Sequence, residues 1–300
     1  MNATLRTVDG RHELRLERTL AHPPEKVWRA LTERDHLSVW FPFDVDMQPE
    51  VGGGIRFIDP GGGPDTTGEV TEYAPPSVLA FSWGDNLLRF ALEPDGSGSR
   101  LVFTHTQDDR AGTASFASGW HVCFDAMERV LDEKPVEMPR PSDALHERYL
   151  AEFGLAEGTA EATPEGWRVR FERQLTRPAE TVWATLQAAP DAATSGHRTN
   201  GDTPPPAVGD PVPPGFTDTT VGAGPVRAVE APRLLEYDWQ HDGRPAGRVR
   251  WELGAGTGHG ARLVLTQTGP DDLAEARALA LTAWREHVER LVDRLTKTSV

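Results

Sequence analysis

An internal repeat constrains the fold of this chain more than any other feature of its sequence. The segment LERTLAHPPEKVWRALT at 16–32 matches FERQLTRPAETVWATLQ at 171–187 without a gap, and eight of the seventeen positions are identical. Two further pairs of segments match in the same order: 68–83 with 224–239, and 100–106 with 262–268. This pattern indicates one domain in two tandem copies. With 300 residues in the chain, each copy is long enough to bury a core without disulfides.

Proline and apolar spacing predict a helix early in each copy. The motifs PPE at 23–25 and PAE at 178–180 put proline near a helix start and an acidic residue in the first turn. Trp28 and Trp183 then occupy matched positions on the apolar faces of these helices. Each of these tryptophans is therefore predicted to be buried against a core.

A long amphipathic helix is predicted to close each copy. Apolar residues recur with the 3.6-residue period around Trp120 in the first copy and around Trp284 in the second, where Asp271 and Asp272 are candidate N-caps. A further short helix is predicted over residues 142–153.

The middle of each copy alternates between apolar and polar residues, as at Leu79, Phe81 and Trp83, and glycine clusters interrupt it. This pattern predicts strands joined by turns. The fold class is therefore α+β, with an antiparallel sheet packed against a C-terminal helix in each of two domains. The predicted boundaries are 1–154 for the first domain, 155–166 for a polar linker, and 167–300 for the second, divergent domain.

The charge balance excludes several classes of partner. A formal net charge of −15, from 31 basic and 46 acidic residues, repels phosphate backbones and anionic lipid, so we expect neither a nucleic-acid nor a membrane partner. The N-terminal residues lack the apolar stretch of a signal peptide. A single cysteine, Cys123, excludes an intrachain disulfide. A cytoplasmic location is therefore predicted.

The sequence contains no motif that would hold a metal or cofactor, or activate a nucleophile. There is no G-x-S-x-G, H-E-x-x-H or C-x-x-C pattern, and the ten histidines show no ligand spacing. Cys123 lies on the apolar stripe of the closing helix, where a thiol is expected to be inert. We therefore predict no cofactor, no metal site and no catalytic residue, which favours a binding protein over an enzyme.

The order of these elements resembles a known superfamily. A strand, the PPEKVW helix, a segment ending in LSVWF at 37–41, several antiparallel strands and a helix containing Gly119-Trp120 are similar to the SRPBCC superfamily. Within it, the first copy resembles homologues of the heat-shock-protein ATPase activator, and HERYLAEFG at 146–154 extends the match. The resemblance implies two tandem helix-grip (START-like) domains, in which a curved sheet grips the C-terminal helix, often around a cavity.

This resemblance implies functions of three classes, because one fold serves many activities. The preferred hypothesis is binding of an apolar small molecule, such as a polyketide or polyene-type natural-product intermediate, in antibiotic biosynthesis, carriage or resistance. A cofactor-free polyketide cyclase/aromatase is the second hypothesis, and it would need polar groups inside the cavity. A co-chaperone-like protein-interaction module is the third, and it would have a filled core and a broad exposed patch instead.

The predicted ligand site lies in the first domain, where large aromatic residues are concentrated. Apolar pockets with few polar groups are the usual small-molecule sites, although any one of these rings is more typical of a core. Two histidines, one in the last strand and one beside Trp120, are either rare polar contacts or satisfied core residues. The predicted ligand-binding residues are Trp40, Phe41, Phe43, Phe57, Trp83, Phe103, His105, Trp120, His121 and Phe124.

The second copy differs in the segment that follows its first helix. In place of Trp40 and Phe41 it has a run with seven prolines between 190 and 214, which forbids a continuous helix. We therefore predict that the second domain has lost the lid over its pocket. Such a domain is either purely structural or shares the opening of its neighbour.

Overall fold

Each copy of the repeat folds into an antiparallel sheet with a long helix packed across it. The computed structural model describes residues 2–188, 204–258 and 260–297. The chain divides into two units, Met1–Phe153 and Gly154–Val300. The predicted α+β helix-grip fold is confirmed in both units.

The first unit has an eight-stranded sheet. Its strands are β1 (Asn2–Val8), β2 (Arg11–Leu20), β3 (Asp44–Met47), β4 (Gly54–Ile58), β5 (Thr66–Ala74), β6 (Val78–Trp83), β7 (Asn86–Asp95) and β8 (Gly98–Gln107). They pair antiparallel in the order β1-β2-β8-β7-β6-β5-β4-β3. Its helices are α1 (Pro24–Thr32), α2 (Arg34–Trp40), α3 (Thr113–Leu131) and α4 (Asp143–Glu152).

The second unit repeats six of these eight strands in the same order. Its strands are β9 (Thr159–Thr163), β10 (Gly166–Gln174), β11 (Gly222–Glu230), β12 (Leu234–His241), β13 (Arg244–Ala255) and β14 (Ala261–Gly269), in the order β11-β12-β13-β14-β10-β9. Its helices are α5 (Ala179–Gln187) and α6 (Ala274–Lys297). The described part of this unit has no counterpart of β3, β4 or α2.

The core of the first unit lies between the sheet and α3. Because side chains alternate across a strand, every second residue of β2 and β8 faces the helix. Leu16 of β2 pairs with Phe103 of β8, and both are buried. Cys123 of α3 is buried too, and burial raises the pKa of its thiol to about 12, so the thiol stays protonated at neutral pH.

Two segments differ from the sequence-based expectation. Residues 155–166, predicted as a linker, contain β9, which pairs with β10. Its residues are almost all exposed because it is an edge strand, so no apolar alternation marks it. Asp271 and Asp272, predicted as N-caps, lie instead in a 3-10 turn before α6 begins.

The predicted short helix over residues 142–153 is observed as α4. The Ser142 side chain accepts a hydrogen bond from the Leu145 N–H and so caps the helix. The helix ends next to Gly154, whose φ of 61° is left-handed and favours glycine. No helix within the described ranges is long and apolar enough to cross a membrane.

Candidate functional site

The aromatic residues of the first unit form one continuous cluster between the sheet and α3. The ring centroids of Phe103, from β8, and Trp120, from α3, are 4.7 Å apart. Phe41 follows α2, and its ring centroid lies 5.6 Å from that of Trp120 and 6.1 Å from that of Phe57. Rings from the residue after α2, from α3 and from the sheet therefore touch one another and occupy the space between these elements.

The structure brings nine of the ten predicted ligand-binding residues into this cluster. The exception is His121, whose Nδ1 lies 2.8 Å from the Tyr149 hydroxyl on α4. The cluster also contains Phe81 and Phe90, whose centroids are 5.9 Å apart. These two residues were not predicted as site residues, although the alternation that marked Trp83 included Phe81.

The cluster reaches the protein surface at Phe43 and Trp83, which are partly exposed. Their ring centroids are 4.9 Å apart in an edge-to-face arrangement. The indole Nε1–H of Trp83 donates to Thr66 Oγ1 at 2.9 Å, which fixes the orientation of this ring. Behind it, Phe57 is fully buried, with its centroid 5.3 Å from that of Trp83. We call Phe43 and Trp83 the mouth of the cluster.

His105 is a buried neutral residue that orients α3. Its Nδ1 accepts a hydrogen bond from Trp120 Nε1–H at 3.1 Å, so the proton is on Nε2, which donates to Asn86 Oδ1 at 3.0 Å. The side chain is 1 % exposed, and burial lowers its pKa to about 3. With both nitrogens engaged and the ring neutral, His105 is not placed to transfer a proton to a substrate.

The second unit repeats this contact with a different residue. Gln267 occupies the position matched to His105, and its Oε1 accepts a hydrogen bond from Trp284 Nε1–H at 2.6 Å. An amide that cannot act as an acid or base performs the same task here. The shared role is therefore to hold the tryptophan of the closing helix against the sheet.

A short helix covers the cluster in the first unit. The Trp40 ring of α2 lies 6.4 Å from that of Phe90 and 6.1 Å from that of Phe124. Its Nε1–H donates to the Ala30 carbonyl of α1 at 2.8 Å. Phe41, which follows α2, contacts the rings of Phe57 and Trp120.

A different segment covers the second unit, which corrects the prediction that its lid is lost. Phe216, in a 3-10 turn over Pro214–Phe216, is fully buried. Its ring centroid lies 5.7 Å from that of Trp251, which occupies the repeat position of Phe90. The helix is replaced by this turn. Residues 189–203, which carry part of the proline-rich run, lie outside the described residues.

A separate pocket of about 470 Å³ lies between α3 and the β1–β2 edge of the first unit. All of its lining side chains are polar or charged, so it is not suited to an apolar molecule. The charge of Arg18 there is paired, because its guanidinium donates to Asp125 and Glu128. The lining residues are Asn2, Glu17, Arg18, Thr19, Arg100, His121 and Glu128.

The aromatic cluster consists mainly of apolar rings and carries few polar atoms. Among the described residues, no group of three or more His, Cys, Asp or Glu side chains is arranged to hold a metal ion. Within the aromatic cluster, the polar atoms of His105 and of the Trp40, Trp83 and Trp120 indoles are all hydrogen-bonded inside the protein. The cluster can therefore contact an apolar ligand through ring faces and edges.

Comparison with known proteins identifies a family and several similar structures. The family described as "Activator of Hsp90 ATPase homolog 1-like protein" matches residues 21–132 and 212–296. A conserved protein of unknown function from Enterococcus faecalis, EF2215, is 26% identical with a TM-score of 0.43, and the match covers 50% of this chain and 89% of that chain. CalU16 from Micromonospora echinospora is 20% identical with a TM-score of 0.42, and the match covers 50% of this chain and 94% of that chain. The Aha1 dimer from Colwellia psychrerythraea is 22% identical with a TM-score of 0.36, and the match covers 40% of this chain and 95% of that chain. No curated protein gives a significant match.

Proposed function

For this chain, which belongs to the Activator of Hsp90 ATPase homolog 1-like family, we propose that the first unit binds an apolar small molecule at the aromatic cluster. The observation that carries this proposal is the gathering of rings from α3, the sheet and the cover, with a mouth that reaches the surface. A polyketide or polyene-type intermediate suits such a lining. The protein then serves in the biosynthesis of such a compound, in its carriage or in resistance to it.

The rings fill the space between the sheet and α3, where the resemblance implies a cavity, so entry of this ligand requires displacement of the cover. The cover helix α2 has only seven residues, too few to be stable without packing. Trp40 is attached by one hydrogen bond to Ala30 and by ring contacts. The ligand replaces those ring contacts with equivalent apolar contacts, so that little burial is lost on opening.

The hydrogen bonding of the cluster supports binding over catalysis. A cyclase needs an acid or base within reach of its substrate. His105 is buried and neutral, with both ring nitrogens occupied. His121 faces Tyr149 of α4 and lies apart from the rings. We therefore propose that the protein carries or sequesters its ligand and does not convert it.

The dense packing of the rings favours a second candidate, the co-chaperone-like interaction module, for which a filled core was predicted. That function also needs a broad exposed apolar patch. The large apolar side chains that are exposed in the described ranges lie on separate elements: Val8, Val39, Val51, Met138, Val208 and Leu279. The small-molecule proposal is supported instead by the ring cluster and by its mouth at the surface.

Removal of the Trp83 ring is expected to weaken binding of an apolar probe by about tenfold, since one lost aromatic contact at a partly exposed site is worth roughly 1.4 kcal/mol. The probe is N-phenyl-1-naphthylamine, a neutral three-ring molecule whose emission rises on apolar burial. The measurement is a fluorescence titration of the full chain with and without Trp83→Ala.

The control is Leu279→Ala, which removes an exposed apolar side chain from the second unit without opening its core. We expect the probe affinity of this variant to equal that of the wild type. Equal weakening by both variants, or the absence of saturable binding to the wild type, contradicts the proposed site.

A further inference from the structure

The second unit encloses part of its own chain in the way that a binding site encloses a ligand. The ring of Phe216 is fully buried, with its centroid 5.0 Å from that of Trp183 and 5.7 Å from that of Trp251. The residue before it, Gly215, lies directly against the backbone of α5. A Cβ atom there would come within 2.1 Å of the Leu186 carbonyl oxygen, so only glycine allows this close approach.

Two buried side chains and the partly buried His287 donate hydrogen bonds to two consecutive carbonyl groups of this turn. Tyr237 Oη–H and Trp251 Nε1–H both donate to the Phe216 oxygen, at 2.9 and 3.1 Å. His287 Nε2–H donates to the Gly215 oxygen at 2.8 Å. The donors come from β12, β13 and α6, so the sheet and the closing helix both contact the turn. This arrangement therefore accommodates a group that has an aromatic ring with a carbonyl acceptor beside it.

Both flanks of the turn are tied to the body of the unit. Before it, Gly209 N–H donates to the Val226 oxygen and Val226 N–H donates to the Asp210 oxygen. After it, buried Asp218 accepts from Arg290 Nη2 at 2.7 Å. Charge-assisted bonds of this kind are among the stronger ones in proteins. The turn is therefore anchored through its own backbone and through both of its flanks.

We infer that the second unit is a ligand site permanently occupied by its own Pro214–Phe216 turn. The second unit therefore takes no ligand of the class bound by the first unit, and the chain binds one molecule rather than two. This stoichiometry rests on the proposed function, whereas the occupancy of the second unit by its own turn is independent of the proposed function. Removal of the Phe216 ring opens a dry apolar site for a single-ring hydrocarbon such as benzene.

The test is benzene binding by full-length Phe216→Ala, read from the NMR signal of the Trp251 indole N–H. We expect this signal to shift saturably with benzene in the variant and to stay unchanged in the wild type. Benzene is also expected to raise the midpoint of thermal unfolding of the variant, because it binds only the folded state. A wild-type chain whose Trp251 signal moves with benzene overturns the inference.

The variant Phe216→Val supplies a second test if Phe216→Ala does not fold. Valine leaves a void of about the volume of one xenon atom, which is expected to admit xenon and shift the same Trp251 signal. A folded variant that binds neither probe also overturns the inference. Failure of the proposed function can be distinguished from failure of this inference. It would appear as an absence of naphthylamine binding to the wild type, and it would leave the Trp251 result unchanged.

Discussion

Replacement of Trp28 or Trp183 with alanine is expected to lower the free energy of unfolding of its own unit by about 3–5 kcal/mol, the usual range for deletion of a large buried ring. Trp28 is 8% exposed, and its ring centroid lies 5.5 Å from that of Tyr73. Trp183 is 4% exposed and contacts Phe216. The loss combines lost burial with a cavity that the short helices α1 and α5 cannot close. Chemical denaturation of each variant measures it.

The controls are exposed residues on the same two helices, Arg29→Ala on α1 and Thr181→Ala on α5. Both side chains lie on the solvent face, so we expect changes of no more than about 0.5 kcal/mol. A loss below about 1 kcal/mol for either tryptophan would contradict the packing described for that unit.

Acidification from pH 7.5 to 4.5 is expected to destabilise the first unit by about 2–3 kcal/mol through His105 alone. Burial lowers the pKa of His105 from its ordinary value of 6.5 to about 3 in the folded protein. Between these values the unfolded chain holds a proton that the folded chain does not. The stability contributed by neutral His105 is therefore complete above pH 6.5 and is lost as the pH falls toward 3.

The second unit supplies the matched variant for this prediction, His105→Gln. Gln267 already accepts the Trp284 indole hydrogen bond at the equivalent position, so glutamine is expected to accept that of Trp120. Because glutamine does not titrate, the difference in unfolding free energy between pH 7.5 and 4.5 should shrink by the stated amount. Urea titrations at both pH values measure it, and an unchanged difference would show that His105 protonates without penalty.

Much of the fold could be predicted because its core elements carry strong apolar periodicity. Trp120 and Phe124 mark α3 at helical spacing, and Leu79 and Phe81 mark β6 by alternation. The edge strands β1 and β9 bury almost nothing. Their pairing is satisfied by backbone hydrogen bonds, which leave no pattern in the side chains, so the sequence of residues 155–166 predicts a linker.

The membership of the site could be predicted better than its geometry. Aromatic composition identified nine of the rings and side chains that meet in the cluster, but periodicity does not distinguish a ring at the mouth, such as Trp83, from one in the core, such as Phe57. The hydrogen bonds of His105 join β7, β8 and α3, and such contacts depend on tertiary packing. The cover of the second unit depends likewise on a proline-rich turn without periodicity.

Calorimetric titration of the full chain with N-phenyl-1-naphthylamine at several temperatures tests the central claim most directly. We expect one molecule bound per chain and a negative heat-capacity change, the signature of apolar burial. We also expect binding to weaken in Phe124→Ala beyond what its lost folding stability explains. No saturable heat at any temperature, from protein that unfolds cooperatively, would contradict small-molecule binding and leave the protein-interaction function in its place.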